Sequence, residues 1–206
     1  MFNLKTSIAA TALALAGAAH AAGPNLVADG TFAGATGSFS TYGAVSTIDN
    51  AWTVSNGSVD LIGSYWTAPT GYSIDLDGNA PGTISQGLNL AAGQYTVSFA
   101  LAGNFAGGDA TKAVQVSIDG VTHDYTFVTT GHSAGAMGWE TKSFTFDVTN
   151  PAALSTLTFT SLDAGGYYGA ALADISVTAV PEPASLGLLL AGLGMLGVVS
   201  SRRRAH

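Results

Sequence analysis

Along residues 22–179 the apolar residues recur with a period of two rather than the 3.6 of a helix. Tyr95, Val97, Phe99 and Leu101, for example, alternate with small or polar neighbours. Such alternation places the apolar side chains on one face of a β-strand. The segments with this pattern are 72–77, 95–101, 114–118 and 144–148.

Shorter apolar runs bounded by turn residues add further strands. They are predicted at 25–32, 51–54, 59–62, 83–88, 121–128, 154–159 and 172–177. Asn56-Gly57 and Asp119-Gly120 are expected to form hairpin turns, because such pairs tolerate positive φ. The mostly small residues 34–43 are predicted to be a loop. About ten short strands without an amphipathic helix or a fixed short repeat indicate an antiparallel β-sandwich.

The two ends of the chain break this pattern. Lys5, the apolar residues 8–19 and a small-x-small site at Ala19 and Ala21 predict a signal peptide. Signal peptidase is expected to cleave it after Ala21, with cleavage after Ala22 as the alternative. Residues 184–201 carry no charge and are long enough to cross a bilayer as a helix. A buried core helix is the disfavoured alternative, because the run is apolar on all sides.

Three arginines follow this apolar run, namely Arg202, Arg203 and Arg204. Positive charge stays on the cytoplasmic side, so the preceding residues are expected outside the inner membrane. The predicted organisation is a signal peptide at 1–21, a β-sandwich domain at 22–179 and a sorting tail with a transmembrane helix at 180–206.

Charge and composition narrow the function of the domain. It holds 12 of the 13 acidic residues but only two of the six basic ones, Lys112 and Lys142, so its net charge is about ten negative. Such a surface repels nucleic acid and suits calcium, which prefers carboxylate and carbonyl oxygens. With no cysteine in the chain, disulfides, thiol catalysis and thiolate metal sites are excluded.

The tail resembles a known sorting signal. Pro181, Glu182 and Pro183 precede the apolar residues 186–199 and the arginine cluster, as in the PEP-CTERM signal of Gram-negative bacteria. In that family the signal is read by an exosortase, a membrane-embedded cysteine transpeptidase. The resemblance implies transient anchoring in the inner membrane, cleavage near Pro-Glu-Pro, and delivery to the cell surface or the exopolysaccharide matrix.

Six segments of the domain carry a second resemblance. In chain order they are 25–32 (NLVADGTF), 57–62 (GSVDLI), 72–78 (YSIDLDG), 82–86 (GTISQ), 93–99 (GQYTVSF) and 171–177 (ALADISV). In these segments and their order, the domain resembles the choice-of-anchor C family, which is related to the DUF642 proteins of plant cell walls. The resemblance implies a jelly roll of the galactose-binding-like type, a fold common among carbohydrate-binding modules.

Related carbohydrate-binding modules hold a structural calcium between the opening segment and an Asp of the last strand. Here Ala33 stands where an acidic residue often follows the opening Phe, Asp29 replaces the usual Asn, and Asp174 comes one place late. Despite these differences, the resemblance implies a calcium site, and its candidate ligands are Asp29, Asp174 and backbone carbonyls near Thr31.

Aromatic residues in apparent loops are candidates for stacking on sugar rings. Tyr65, Trp66 and Tyr168 are the candidates, and we expect Trp66 to be at least partly exposed. Trp52 and Trp139 are expected to pack in the core or at its rim. Nearby polar residues would fix the sugar hydroxyls, namely Asp75, Asp77 and Asn79.

Catalysis is the weaker interpretation of the same residues. Asp75 and Asp77 share one face of a strand, but carboxylates adjacent at a turn are more often solvated or bound to calcium than catalytic. His123, His132 and Glu140 fall in separate segments without a catalytic motif. We therefore predict a non-enzymatic binding or structural role in the exopolysaccharide or cell envelope. The alternatives are a polysaccharide hydrolase or lyase, and a self-associating surface adhesin.

Overall fold

The computed structural model describes residues 23–34 and 36–181, so the predicted signal peptide and transmembrane helix lie outside the described residues. Within these ranges the chain forms twelve strands and no helix. None of it, therefore, is a helix able to cross a membrane. The strands are β1 (Phe39–Gly43), β2 (Thr47–Ile48), β3 (Trp52–Asn56), β4 (Ser58–Ile62), β5 (Ser73–Asp75), β6 (Thr83–Leu88), β7 (Gly93–Gly103), β8 (Thr111–Ile118), β9 (Val121–Val128), β10 (Glu140–Val148), β11 (Ser155–Ser161) and β12 (Ala170–Ala179).

The strands form two six-stranded antiparallel sheets. The front sheet has the order β1-β4-β5-β12-β7-β10, and the back sheet has the order β2-β3-β6-β11-β8-β9. The all-β sandwich predicted from the sequence is confirmed. Of the predicted alternating segments, 95–101, 114–118 and 144–148 lie in β7, β8 and β10, and 72–77 contains the shorter β5. The last predicted strand, 172–177, lies in β12.

The core lies between the inner faces of the sheets. A continuous apolar row crosses the front sheet through Leu61, Ile74, Leu172 and Leu101, which are directly paired across strands. A matching row crosses the back sheet; its members are Val54, Ile84, Phe159 and Val116. All eight side chains are at most 1% exposed. Opposed side chains on paired strands contact one another, so each row stabilises its sheet and the packing between the sheets.

The two predicted hairpin turns have different outcomes. Asp119 and Gly120 both have positive φ and join β8 to its partner β9, as predicted. The hairpin predicted at Asn56-Gly57 is wrong. Gly57 has φ +58° but Asn56 does not have positive φ, and β3 and β4 belong to different sheets. The turn therefore carries the chain from the back sheet to the front sheet.

The strand predicted at 25–32 is also wrong, because Asp29 and Phe32 have positive φ, which interrupts an extended chain. The segment still borders β12, since the Leu26 N–H donates to the Val177 carbonyl and the Ile175 N–H to the Gly30 carbonyl, each at 2.9 Å. The loop predicted at 34–43 contains β1, whose residues are all partly or fully exposed and so give no apolar pattern.

The buried Gln86 fixes this irregular opening segment to the back sheet. Its Oε1 accepts from the Ala28 N–H at 2.7 Å, and its Nε2 donates to the carbonyls of Ala28 and Ala51. The apolar core of the described chain runs from Val27 to Val177. Both sheets and their core lie within residues 23–34 and 36–181, so the fragment 22–181 contains every described element of the fold.

Candidate functional site

A row of polar side chains crosses the outer face of the front sheet. Thr41 on β1 pairs with Asp60 on β4, and Asp60 pairs with Asp75 on β5. Directly opposed residues of antiparallel strands point to the same face, so these three side chains are neighbours. The apolar residues next to them in sequence, Leu61 and Ile74, point into the core. The alternation that builds the core therefore also builds this polar row.

Asp75 lies at the centre of the row and is only 1% exposed. Its Oδ1 accepts from the N–H groups of Asp77 and Gly169, each at 2.9 Å, and its Oδ2 accepts from the Asn104 side-chain amide at 2.7 Å. Burial raises the pKa of Asp75 to about 8, although these three donors oppose the rise. Asp75 therefore holds the chain at Asp77, Gly169 and Asn104 in place through three hydrogen bonds.

Asp60 is less enclosed than Asp75. Its Oδ1 accepts from the Thr41 hydroxyl at 2.5 Å. Burial raises the pKa of Asp60 and the bond from Thr41 lowers it. Beyond the sheet, the Asn104 amide also donates to the Tyr167 carbonyl at 3.4 Å. We call the row of Thr41, Asp60 and Asp75, together with Asn104, the polar floor. Through Asn104 the polar floor is bonded to the segment that precedes β12.

Exposed aromatic rings surround this polar floor. Phe39, Tyr65 and Tyr167 are 52%, 40% and 60% exposed. The Tyr65 ring meets Phe39 edge-on at 6.2 Å between centroids and lies nearly parallel to Phe105 at 6.4 Å. Large apolar rings held at the surface in a group are typical of a binding surface rather than of a folding requirement.

Together these residues enclose a cavity of about 280 Å³. This volume lies just below the range of about 300–1,000 Å³ that is usual for ligand pockets. The lining residues are Phe39, Thr41, Asp60, Ile62, Tyr65, Asp75, Gly78, Asn79, Asn104, Tyr167 and Tyr168. We refer to this cavity as the aromatic pocket.

Four of the six residues proposed from the sequence for ligand binding line the aromatic pocket, namely Tyr65, Asp75, Asn79 and Tyr168. The expectation that Trp66 is exposed is wrong. Trp66 is 4% exposed, and its Nε1 donates to the Ser73 hydroxyl at 2.7 Å on the front sheet. It anchors the loop that presents Tyr65. Trp52 is buried in the core, and Trp139 packs at its rim with Nε1 bonded to the Thr67 carbonyl.

Asp75 and Asp77 are not the solvated turn residues that their spacing suggested. Asp77 is 0% exposed and does not line the pocket. Gly169 lies against both residues; a Cβ at Gly169 would come within 2.8 Å of Asp75 Oδ1 and of Asp77 Cβ. Glycine at this position therefore permits the close approach that buries the two carboxylates.

Several lining residues were not singled out from the sequence, above all Phe39, Asp60 and Asn104. Asp60 carried a usable signal, because an Asp between Val59 and Leu61 must lie on the outer face of a strand. Asn104 directly follows β7, and Phe39 begins a strand without an apolar pattern. Nothing local distinguishes either one from an ordinary loop or edge residue.

The residues proposed for calcium lie at the junction of the opening segment and β12. Asp29 and Asp174 both have positive φ, and Asp29 Oδ2 and Asp174 Oδ1 are buried without hydrogen-bond partners. Burial raises the pKa of each carboxyl. The Thr31 carbonyl accepts from the Tyr72 N–H at 2.9 Å. Unpaired carboxylate oxygens fit a calcium ion, which takes oxygen ligands.

Across 23–34 and 36–181, no three His, Asp or Glu side chains are grouped as a metal site. A calcium shell at this junction would consequently need carbonyl or water oxygens in addition to Asp29 and Asp174.

Two family models match the chain. Residues 25–178 match the model described as "Protein of unknown function (DUF642)", and residues 179–204 match the PEP-CTERM protein-sorting motif. The chain is also 34% identical over 182 residues to Halomucin of Haloquadratum walsbyi. That match covers 83% of this chain but spans only 2% of the length of Halomucin.

Two solved structures are similar in shape. A family 35 carbohydrate-binding module from Clostridium thermocellum gives a TM-score of 0.46 at 16% identity, covering 70% of this chain and all of the module. TmCBM61, solved in complex with β-1,4-galactotriose, gives 0.46 at 18% identity, covering 76% of this chain and 99% of that one.

Proposed function

This chain belongs to the DUF642 family and is an exported, exosortase-processed protein, and on that premise we propose that it binds carbohydrate through the aromatic pocket. The observation that carries the proposal is the convergence of three exposed rings on a polar floor. Phe39, Tyr65 and Tyr167 surround the row that contains Asp60 and Asp75. A sugar offers an apolar ring face and a rim of hydroxyls, which these two kinds of group complement.

The two carboxyls of the floor would take different parts. Asp75 is buried and already accepts three hydrogen bonds, so it would position Asn104 and the chain at Gly169 rather than bind the ligand strongly itself. Asp60 is only partly buried, and with Asn79 it would accept or donate hydrogen bonds to sugar hydroxyls. The ligand class would be a glycan of the exopolysaccharide or cell envelope.

A glycan array probed with residues 22–181, with and without calcium, tests the proposal. For the best ligand, we expect Tyr65→Ala and Tyr167→Ala each to weaken binding about tenfold or more, about 1.4 kcal/mol. Tyr72→Ala is the matched control, because Tyr72 is also exposed but does not line the pocket. Failure of the protein to bind any glycan, or an equal loss with Tyr72→Ala, would contradict the proposal.

Polysaccharide hydrolysis is the second candidate, and one observation favours it. Asp60 and Asp75 are directly paired, and burial raises the pKa of both, as in acid–base carboxyl pairs. Against it, both Asp75 oxygens are hydrogen-bonded within the protein. Release of reducing ends from a bound polysaccharide, lost in Asp60→Asn, would establish hydrolysis over simple binding.

A structural calcium at Asp29 and Asp174, with the Thr31 carbonyl as a third ligand, is part of the proposal. It would neutralise two partly buried carboxylates and join the opening segment to β12. Because it would bind only the folded state, calcium should raise the melting temperature of residues 22–181 relative to chelator. This rise in melting temperature should be smaller in the Asp29→Asn/Asp174→Asn variant. An unchanged rise would show that calcium does not bind at these residues.

Processing at both ends gives a further prediction. We expect the mature protein to begin at Ala22 and to end near Pro181, after transient anchoring in the inner membrane of a Gram-negative cell. The fold tolerates this cut, because the Val180 N–H makes a 2.8 Å bond to the Gln94 carbonyl while Pro181 is exposed. Intact-mass analysis of the surface protein measures it. A mature species that retains Arg202, Arg203 and Arg204 would contradict tail removal.

A further inference from the structure

Behind the floor of the aromatic pocket, three buried carboxylate oxygens have no hydrogen-bond partner. They are both oxygens of Asp77, which is 0% exposed, and Oδ2 of Asp163. The other Asp163 oxygen accepts from the Ala113 N–H at 2.9 Å. An ionised carboxylate buried without a partner is unfavourable by several kcal/mol, unless a proton or a cation compensates for its charge.

The fold brings these two carboxylates together from separate strands. Asp77 follows β5 and Asp163 follows β11, whose last residue Ser161 accepts the Asp163 N–H at 3.2 Å. Burial raises the pKa of Asp77, and the neighbouring charge of Asp163 raises it further. The Ser161 hydroxyl, as a hydrogen-bond donor, and the charge of Lys112 lower that pKa. No donor, Ser161 included, meets an Asp77 oxygen with full hydrogen-bond geometry.

Lys112 does not neutralise the pair. It is 1% exposed, and its Nζ donates to the Gly107 carbonyl at 2.9 Å and the Tyr168 carbonyl at 2.5 Å. In the described part of the chain, the only ion pair within 4.0 Å joins Lys142 to Glu140. Asp109 lies near Asp163 but is exposed. The charges of Asp77 and Asp163 therefore have no hydrogen-bonded cation to balance them, and one divalent cation would do so.

We propose that Asp77 and Asp163 bind a calcium ion, at a site separate from Asp29 and Asp174. The three unpaired oxygens would supply the carboxylate ligands, and the Ser161 hydroxyl with water or backbone carbonyls would complete the oxygen shell. The ion would join the end of β5 to the end of β11. The chain that leaves β11 continues into the segment that carries Tyr167 and Tyr168 of the pocket, so the ion would stiffen one wall of that pocket.

Calcium binding to chelator-treated residues 22–181 tests this site without any glycan, so the result is independent of the pocket's function. The Asp29→Asn/Asp174→Asn variant serves as background, because it removes the other candidate site. In this background we expect titration calorimetry with calcium chloride to give one equivalent. We also expect the melting temperature to rise by about 5 °C or more at a hundredfold excess over Kd.

Adding Asp163→Asn to that background should abolish both signals. The variant keeps an oxygen to accept the Ala113 N–H, and its melting temperature without calcium should not fall. Asp124→Asn, which removes an exposed carboxylate on β9, is the control and should leave calcium binding intact. No heat and no shift in the background variant at about 10 mM calcium, above the Kd of weak extracellular sites, would overturn the proposal. So would a calcium titration that Asp163→Asn leaves unchanged, because the ion would then lie elsewhere.

Discussion

Trp66→Ala should lower the free energy of unfolding by about 3–5 kcal/mol, the usual cost of truncating a large aromatic residue in a core. Trp66 is 4% exposed, and its indole N–H donates to the Ser73 hydroxyl on the front sheet. The substitution removes the ring that fills the space over β5 and leaves that hydroxyl without its partner. Urea unfolding of residues 22–181 measures the loss as a lower midpoint with a similar m-value.

Tyr65 is the matched control for Trp66, because it is the next residue in the same loop but 40% exposed. Tyr65→Ala should cost about 1 kcal/mol or less in stability. The two neighbours thus separate folding from binding, since only Tyr65 lines the pocket. An unchanged urea midpoint in Trp66→Ala would show that the ring is not in the core.

Between about pH 4 and pH 8, the stability of the domain should fall as the pH rises, and Asp75 should be a main cause. Its pKa is about 8 in the folded chain against 3.8 for an ordinary Asp. Between these values the folded state binds a proton that the unfolded state has lost. The stabilisation is therefore complete below about pH 4 and is lost as the pH approaches 8, by up to about 1.4 kcal/mol per pH unit.

Asp75→Asn should flatten this profile, because it removes the titrating group but keeps an acceptor for the Gly169 N–H. A residual slope of the same sign is expected, since burial also raises the pKa of other carboxyls such as Asp60 and Asp77. Asp124→Asn controls for the change in net charge. Unfolding measured from pH 4 to pH 8 decides the matter, and equal slopes in wild type and Asp75→Asn would contradict the assignment.

The strands that could be predicted were those with one face in the core. β7 and β10 bury alternate residues for much of their length, so the period of two is visible in the sequence. β1 buries no residue, so only its pairing with β4 makes it a strand. At Asn56-Gly57 the sequence indicated a turn but not that the turn connects the two sheets. The sheet that each flanking strand joins depends on partners distant in sequence.

Only some of the residues that line the pocket could be predicted from the sequence, for a related reason. Tyr65 and Trp66 have the same small or polar surroundings in the chain, yet one ring is at the rim and the other is buried against Ser73. That difference arises from the path of the loop over the front sheet. Asp60 and Asn104 come from strands distant in sequence and meet only because β4, β5, β12 and β7 are adjacent.

The position of β12 also has a mechanical consequence. The first residue of β12 follows Gly169, which lies beside the pocket, and its last residue lies two residues before Pro181. The ten residues of β12 therefore separate the pocket from the C-terminal end of the domain by roughly 30 Å. A pull between a ligand in the pocket and the C-terminal tail would therefore run along this strand. β12 is flanked by β5 and β7. Such a load would shear many hydrogen bonds at once instead of opening them one after another, so the domain should resist this pull better than one that peels β12 from its end.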